Sequence, residues 1–188
     1  MLQAEKSTAA IHNEFENNKE QYSRRNNIRM TAVLDDQERQ SSSTATQKIV
    51  SLINKHLGIP ITPSDIDIAH RLGNLKPTEN RPIIIKFVRR QTKVDILRKT
   101  KQFRGTGIFV NEDLTKLNAE ILASVRLKDS VNVEKCWSFE GKIYALFKGH
   151  QHATQIAFAD YKHWLTKPWP RKSYSEPLIP PPRRTLDG

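Results

Sequence analysis

A single cysteine, Cys136, stands among 188 residues, so neither an internal disulfide nor a multi-cysteine zinc motif can form. No apolar run approaches the ~18 residues needed to cross a bilayer, and Met1 to Lys6 lack the charged-then-apolar layout of a signal peptide. The expectation is an intracellular chain, cytosolic or nuclear. Catalytic signatures are also missing. There is no phosphate-cradling Gly-Lys-Ser/Thr loop and no nucleophile elbow. The paired carboxylates Asp35-Asp36 and Asp65/Asp67 have no third ligand motif beside them. Of six histidines, His150 and His152 lie two apart with no thiolate or carboxylate pair to complete a metal site. No enzyme activity, metal or cofactor is expected.

What the chain has is positive charge. Lys and Arg number 31 against 20 acidic residues, a net charge of +11, with a pI near 9.9 and a mean hydropathy of −0.63. A surplus of that size favours polyanions, nucleic acid first and an anionic membrane surface second. Its distribution narrows the choice. Residues 1–20 sum to −2, and 21–30 add three arginines (Arg24, Arg25, Arg29) without an acid. Residues 81–104 carry nine basic groups against the lone Asp95. Solvated helix faces normally mix the two signs, so the block holding Arg81, Lys86, Arg89, Arg90, Arg98 and Lys101 reads as an electrostatic footprint.

Periodicity organises the chain. Residues 1–23 are polar, with Ile11, Phe15 and Tyr22 too few to specify a heptad seam, and are expected to be a mobile segment or coiled-coil remnant. Residues 27–34 alternate at Ile28, Met30 and Ala32, predicting a strand. A helix carrying Ile49, Leu52, Ile53, His56 and Leu57 follows, capped by Ser43 or Thr44 and stopped by Gly58. Strands are predicted at Ile66–Leu72 and Ile83–Val88, then a basic helix from Gln91 and a short strand at Ile108–Val110. The order strand, helix, strand, strand, helix, strand over about 24–111 predicts an α+β, ferredoxin-like unit. Such a unit is a four-stranded antiparallel sheet with two helices on one face, the other face left for a ligand. Residues 112–163 predict a small helix–hairpin–helix domain. Its first helix is capped by Asn111 or Asp113, its hairpin turns at Glu140-Gly141, and its last helix takes in Ala153–Tyr161. The Pro-rich basic tail, 164–188, is expected to be disordered. Its Pro177-Leu178-Ile179-Pro180 defines a rival reading, a protein-interaction adaptor acting through the tail.

The alternation leaves no aromatic platform on the inner strands, and Phe87 belongs to the core face. Recognition is therefore expected to be electrostatic, with weak sequence preference. In the later hairpin, Phe139 is assigned to the small core, and Trp137 and Tyr144 are candidates for base stacking.

Five stretches in order carry a resemblance: Arg24-Arg25-Asn26-Asn27-Ile28-Arg29, the Ala-His-Arg-Leu-Gly core within 66–73, Arg81-Pro82-Ile83-Ile84-Ile85-Lys86-Phe87, Ile96-Leu97-Arg98-Lys99, and Ile108-Phe109-Val110-Asn111-Glu112-Asp113-Leu114-Thr115. With them the chain, from Arg24 to the early 160s, resembles the first open reading frame proteins of LINE-type (non-LTR) retrotransposons, transposase-22-like proteins. The resemblance implies an RNA-recognition-motif-like domain with a small C-terminal domain. It also implies cooperative single-stranded RNA binding, a nucleic-acid chaperone role in packaging a transcript, and trimerisation through a coiled coil. It places Asn27, Arg29, Arg71 and Arg81 at RNA-backbone contacts and adds a basic contribution near Arg98 and Lys101. Single-stranded DNA is a second polymer that backbone contacts would accept. The chain departs from the family twice. The long coiled coil is absent or reduced to residues 1–23, so a homotrimer would require the N-terminal helix to extend. Where many relatives carry arginines, Leu117-Asn118-Ala119-Glu120 stands instead. A truncated or host-reused remnant is the alternative.

Overall fold

The computed structural model describes residues 2–35, 41–76 and 79–170. It is an α+β structure with two sheets. The first unit runs α1 (Leu2–Ser23), β1 (Asn27–Thr31), α2 (Ser42–Leu57), β2 (Ile66–Arg71), β3 (Ile83–Phe87), α3 (Arg90–Arg98) and β4 (Phe109–Glu112). Its four strands are antiparallel in the order β2-β3-β1-β4. Alternation sends Ile28, Met30, Ile83, Ile85 and Phe87 to one face, where Ile49, Ile53 and Leu57 of α2 and Ile96 of α3 cover them. Both helices therefore share one side of the sheet, and Phe87 is fully buried as its register requires.

Two elements depart from the sequence pattern for local reasons. Ala32 has φ +60°, a left-handed conformation that breaks the alternation, so β1 ends at Thr31 and Val33 turns into the core. In β2 the register shifts between Ile66 and Ile68, leaving Ile66 buried and Ile68 exposed. The α2 cap lies earlier than predicted. Ser41, not Ser43 or Thr44, accepts from the Thr44 N–H at 3.1 Å, and Gly58 closes the helix at φ +60°.

The segment 1–23, expected to be mobile, forms the 22-residue α1. Ile11, Phe15 and Tyr22 stay exposed, so no apolar seam attaches this helix. Polar side chains of its last turns, Asn17 and Gln21, do so instead.

Beyond β1 the chain is held by a carboxylate clamp. Asp35 Oδ2 receives Arg81 Nε at 2.7 Å, and its Oδ1 lies 3.5 Å from Arg71 Nε. Arg71 also donates Nη1 hydrogen bonds to the Val33 and Arg81 carbonyls, each at 2.8 Å. The Arg81 hydrogen bond, aided by the Arg71 charge and opposed by desolvation, holds the Asp35 carboxyl below its usual range. A carboxyl lower in the folded state than its unfolded value of about 3.9 contributes stability above that pH and loses it as pH falls through the depressed value. The thermal midpoint of wild type should accordingly exceed that of Asp35→Asn at pH 7, with the gap closing as pH falls through the depressed value. A gap independent of pH would mean the clamp stabilises only by packing.

The second unit comprises α4 (Lys116–Lys128), β5 (Val133–Phe139), β6 (Lys142–Phe147), β7 (Thr154–Gln155) and α5 (Tyr161–Thr166). The hairpin turns at Glu140-Gly141 with φ +51° and +78°, the twin left-handed turn that suits a two-residue connection. The helix expected over Ala153–Tyr161 is not there. Thr154–Gln155 adds a third strand to β6, Phe158–Asp160 forms a 3-10 turn, and α5 starts only at Tyr161. Nor does a tail begin at 164. Trp164 is buried against Phe147, Lys128 Nζ donates to the Trp164 and Leu165 carbonyls, and Lys167 pairs with Asp129 at 2.8 Å. The Pro-x-x-Pro stretch lies outside the described residues.

Candidate nucleic-acid interface

Between the two units runs a cleft of about 1300 Å³ along β4, the outer strand of the first sheet. One wall is α3, which contributes Arg90, Lys93, Val94, Leu97 and Arg98, with Lys101 just beyond. The other wall is α4 and the β5–β6 hairpin, with Lys116, Ala119, Leu122, Arg126, Trp137, Phe139 and Lys142. The end of α1 and the turn after it close one end with Gln21, Tyr22, Arg24 and Arg25. Ten Lys and Arg residues line this space against two carboxylates, Glu112 and Glu140, and both carboxylates are already paired. Glu112 meets buried Lys93 at 3.0 Å, and Glu140 meets Arg90. Such a cleft attracts anions.

Of the residues singled out from sequence, Arg24, Arg25, Arg29, Arg90, Arg98, Lys101 and Trp137 come together here. They differ in availability. Arg24 and Arg29 reach back to Asp113 at 3.2 and 3.4 Å, and Asn27 Nδ2 donates to the same carboxylate at 3.1 Å from just outside the lining. One carboxylate with a 3% exposed side chain thus fixes three side chains of the motif around β1. Arg25 lies over the Tyr22 ring at 4.1 Å, Arg98 is 73% exposed, and Lys101 is exposed.

Others fall elsewhere. Arg71 and Arg81 belong to the Asp35 clamp, with side chains only 3% and 16% exposed, so their guanidiniums hold chain rather than face solvent. Lys86 sits on the helix-free face of the sheet, paired with Asp67 at 2.7 Å. Arg89 is exposed at the N-cap of α3, outside the cleft lining. Tyr144 is off the lining too, but pairs across the strands with Trp137. The basic groups therefore gather at a sheet edge rather than over the helix-free face expected from the element order. Phe139, expected in the small core, is 57% exposed, because β5 turns Cys136 inward and Trp137 and Phe139 outward.

Sequence reasoning missed Lys116, Arg126 and Lys142. Residues 105–161 sum to −1, and the acids that cancel these three point elsewhere or are paired. Only the fold separates them.

The walls are joined by buried polar groups. Glu112 Oε1 takes the Lys93 ammonium, and its Oε2 accepts from the Gly141 N–H at 3.2 Å. Asn118, 2% exposed, fills all four of its hydrogen-bonding positions. Its Oδ1 accepts from Asn17 Nδ2 and the Tyr161 hydroxyl, and its Nδ2 donates to Gln21 Oε1 and the Gly141 carbonyl. Burial pushes the Tyr161 phenol up, keeping its hydroxyl a donor. Thr115 caps α4, not Asn111 or Asp113, and donates its own hydroxyl proton to Asn17 Oδ1 at 2.8 Å. The stretch Leu117-Asn118-Ala119-Glu120 thus contributes a buried polar junction through Asn118. Asn118→Leu should lower the unfolding free energy by about 3 kcal/mol, since several buried polar partners are stranded together. A denaturant midpoint within error of wild type would show the junction to be solvated.

No protein-family model matches the chain, and no curated protein matches it.

Proposed function

We propose that the cleft binds single-stranded nucleic acid, RNA before DNA, through its phosphates and with little sequence preference. The observation that carries this is the convergence of ten cationic side chains on one space, six of them left over once Arg90 and Lys93 have paired with its two carboxylates and Arg24 and Arg29 with Asp113. Apolar surface within the same cleft, from Val94, Leu97, Ala119 and Leu122, suits unpaired bases, which a duplex hides in its stack. Following the resemblance, the first unit is read as RNA-recognition-motif-like, ferredoxin-like in its strand order. The protein's role is then packaging and chaperoning RNA in a retrotransposon-type ribonucleoprotein.

Titration of a labelled, unstructured 20-nucleotide RNA at 50 and 200 mM salt tests the reading. Four to six phosphates in contact would give a log–log salt slope of about −3 to −4, at about −0.7 per phosphate on a single strand. A duplex of the same length should bind more weakly. Salt-independent binding, or equal affinity for the duplex, would overturn it.

A further inference from the structure

Antiparallel sheets that pack on one side usually present polar residues on the other. The second sheet does not. Its inner face, with Cys136, Ile143 and Ala145, is covered to form the second core. Its outer face carries Trp137, 38% exposed, directly across from Tyr144, and Phe139, 57% exposed, directly across from Lys142. The Trp137 and Tyr144 rings are near-parallel, 18° apart with centroids 6.1 Å from each other. Lys135 extends the same face, 3.7 Å from Glu134.

Among the described residues, Trp137 and Phe139 keep 38% and 57% of their surface exposed, and two features identify what would cover it. The patch is continuous with the basic cleft, since Trp137, Phe139 and Lys142 line both. Its flanking charges, Lys135 and Lys142, are positive, as the cleft's are. An apolar protein segment would bury the Lys142 ammonium unmatched, whereas a nucleotide offers a flat π-face to the rings and a phosphate to that ammonium.

We infer that the outer face of the β5–β6 hairpin is a base-stacking platform, on which Trp137, supported by Tyr144, takes bases of the strand whose phosphates lie in the cleft. This rests on the proposed single-strand binding and adds to it a second kind of contact, made to bases and indifferent to their sequence. The two chemistries divide the work: the cleft holds the strand by charge, and the hairpin distinguishes an unpaired strand from a duplex, whose bases have no free faces.

The test uses the full chain and two 20-nucleotide ligands, a mixed-sequence RNA and an abasic sugar–phosphate strand of equal length. Trp137→Ala should weaken RNA binding about ten-fold or more, the usual effect of losing an aromatic under a base, while affinity for the abasic strand and its salt slope stay as in wild type. Trp137→Phe should keep RNA affinity within about three-fold, because a smaller π-face remains. It should also lose most of the tryptophan fluorescence quenching that RNA produces in wild type. Because Trp137 is over a third exposed, truncation should leave the circular dichroism spectrum unchanged; Tyr144→Ala, with a parallel but smaller loss, provides a second variant. RNA binding by Trp137→Ala at wild-type strength would overturn the platform and leave the cleft reading standing. Equal losses for both ligands would overturn it as a merely structural effect. A wild-type protein that binds neither ligand would instead remove the proposed function beneath it.

Discussion

Reversing Arg25, Arg98 and Lys101 together to Glu is expected to weaken single-stranded RNA binding by more than about 100-fold at 0.1 M salt. These three line the cleft from two elements, the turn after α1 and the α3 segment. Among the described residues, the one carboxylate within 4 Å of any of these cations is Asp95, 3.9 Å from a 73% exposed Arg98. Each phosphate contact removed lowers the magnitude of the salt slope by about 0.7, so three should take about 2 from it. Reversal adds repulsion to that loss. The fold should survive, because none of the three is buried. Arg89→Glu is the matched control, from the same charge block but outside the cleft, and should change affinity less than about three-fold by general charge screening. If Arg89→Glu proves as damaging as the triple variant, the field of the whole block, and not the cleft, governs binding.

Lys93→Met should cost about 3–5 kcal/mol of stability at neutral pH, the largest single-site effect expected in the chain. Lys93 and Glu112 have side chains only 7% and 6% exposed, 3.0 Å apart. Lys93 also donates to the Arg25 carbonyl at 3.0 Å. Removing the ammonium leaves the Glu112 carboxylate buried with only the Gly141 N–H for company. The double variant Lys93→Met with Glu112→Gln removes both charges and keeps an acceptor for Gly141, so it should recover most of the loss. Equilibrium denaturation of the two variants measures the difference. A double variant no better than the single one would show that the cost lies in the lost Arg25 contact. The same pair reaches from α3 through β4 to the hairpin tip, so the single variant should also weaken RNA binding by loosening the cleft walls.

Periodicity found the strands and most helices of the first unit, because Ile28, Met30, Ile83, Ile85 and Phe87 obey a period of two and their burial decides the faces. The hairpin turn was legible for the same kind of reason, since Glu140-Gly141 must carry positive φ. Where the reading went astray, polar geometry had replaced apolar pattern. The α1 segment offered no seam and is instead held by Asn17 and Gln21. Residues 153–161 looked helical from Ile156, Ala157 and Phe158, yet pairing of Thr154–Gln155 with β6 takes the first part of that stretch into the sheet. Of the basic residues, local charge density found Arg25, Arg98 and Lys101. It could not separate them from Arg81, nor could the resemblance that singled out Arg71, because a guanidinium that clamps the chain and one that faces solvent have the same one-letter code. The cations of α4 and the hairpin were hidden by nearby acids, of which the cleft's own two, Glu112 and Glu140, are paired by the fold.

The Asn17–Asn118 hydrogen bond joins residues 101 positions apart, and the other ties of α1 to the second unit span more than 90. Contacts of short separation, such as the β5–β6 hairpin, form before closures of that length, and the β1–β4 pairing of the first unit spans nearly as far. The cleft walls are therefore expected to meet late, on the native side of the folding barrier. Damage to the Asn118 junction should consequently hasten unfolding while leaving the refolding rate nearly untouched. Under the proposed function, a strand bound between those walls would act mainly by lengthening the lifetime of the closed protein.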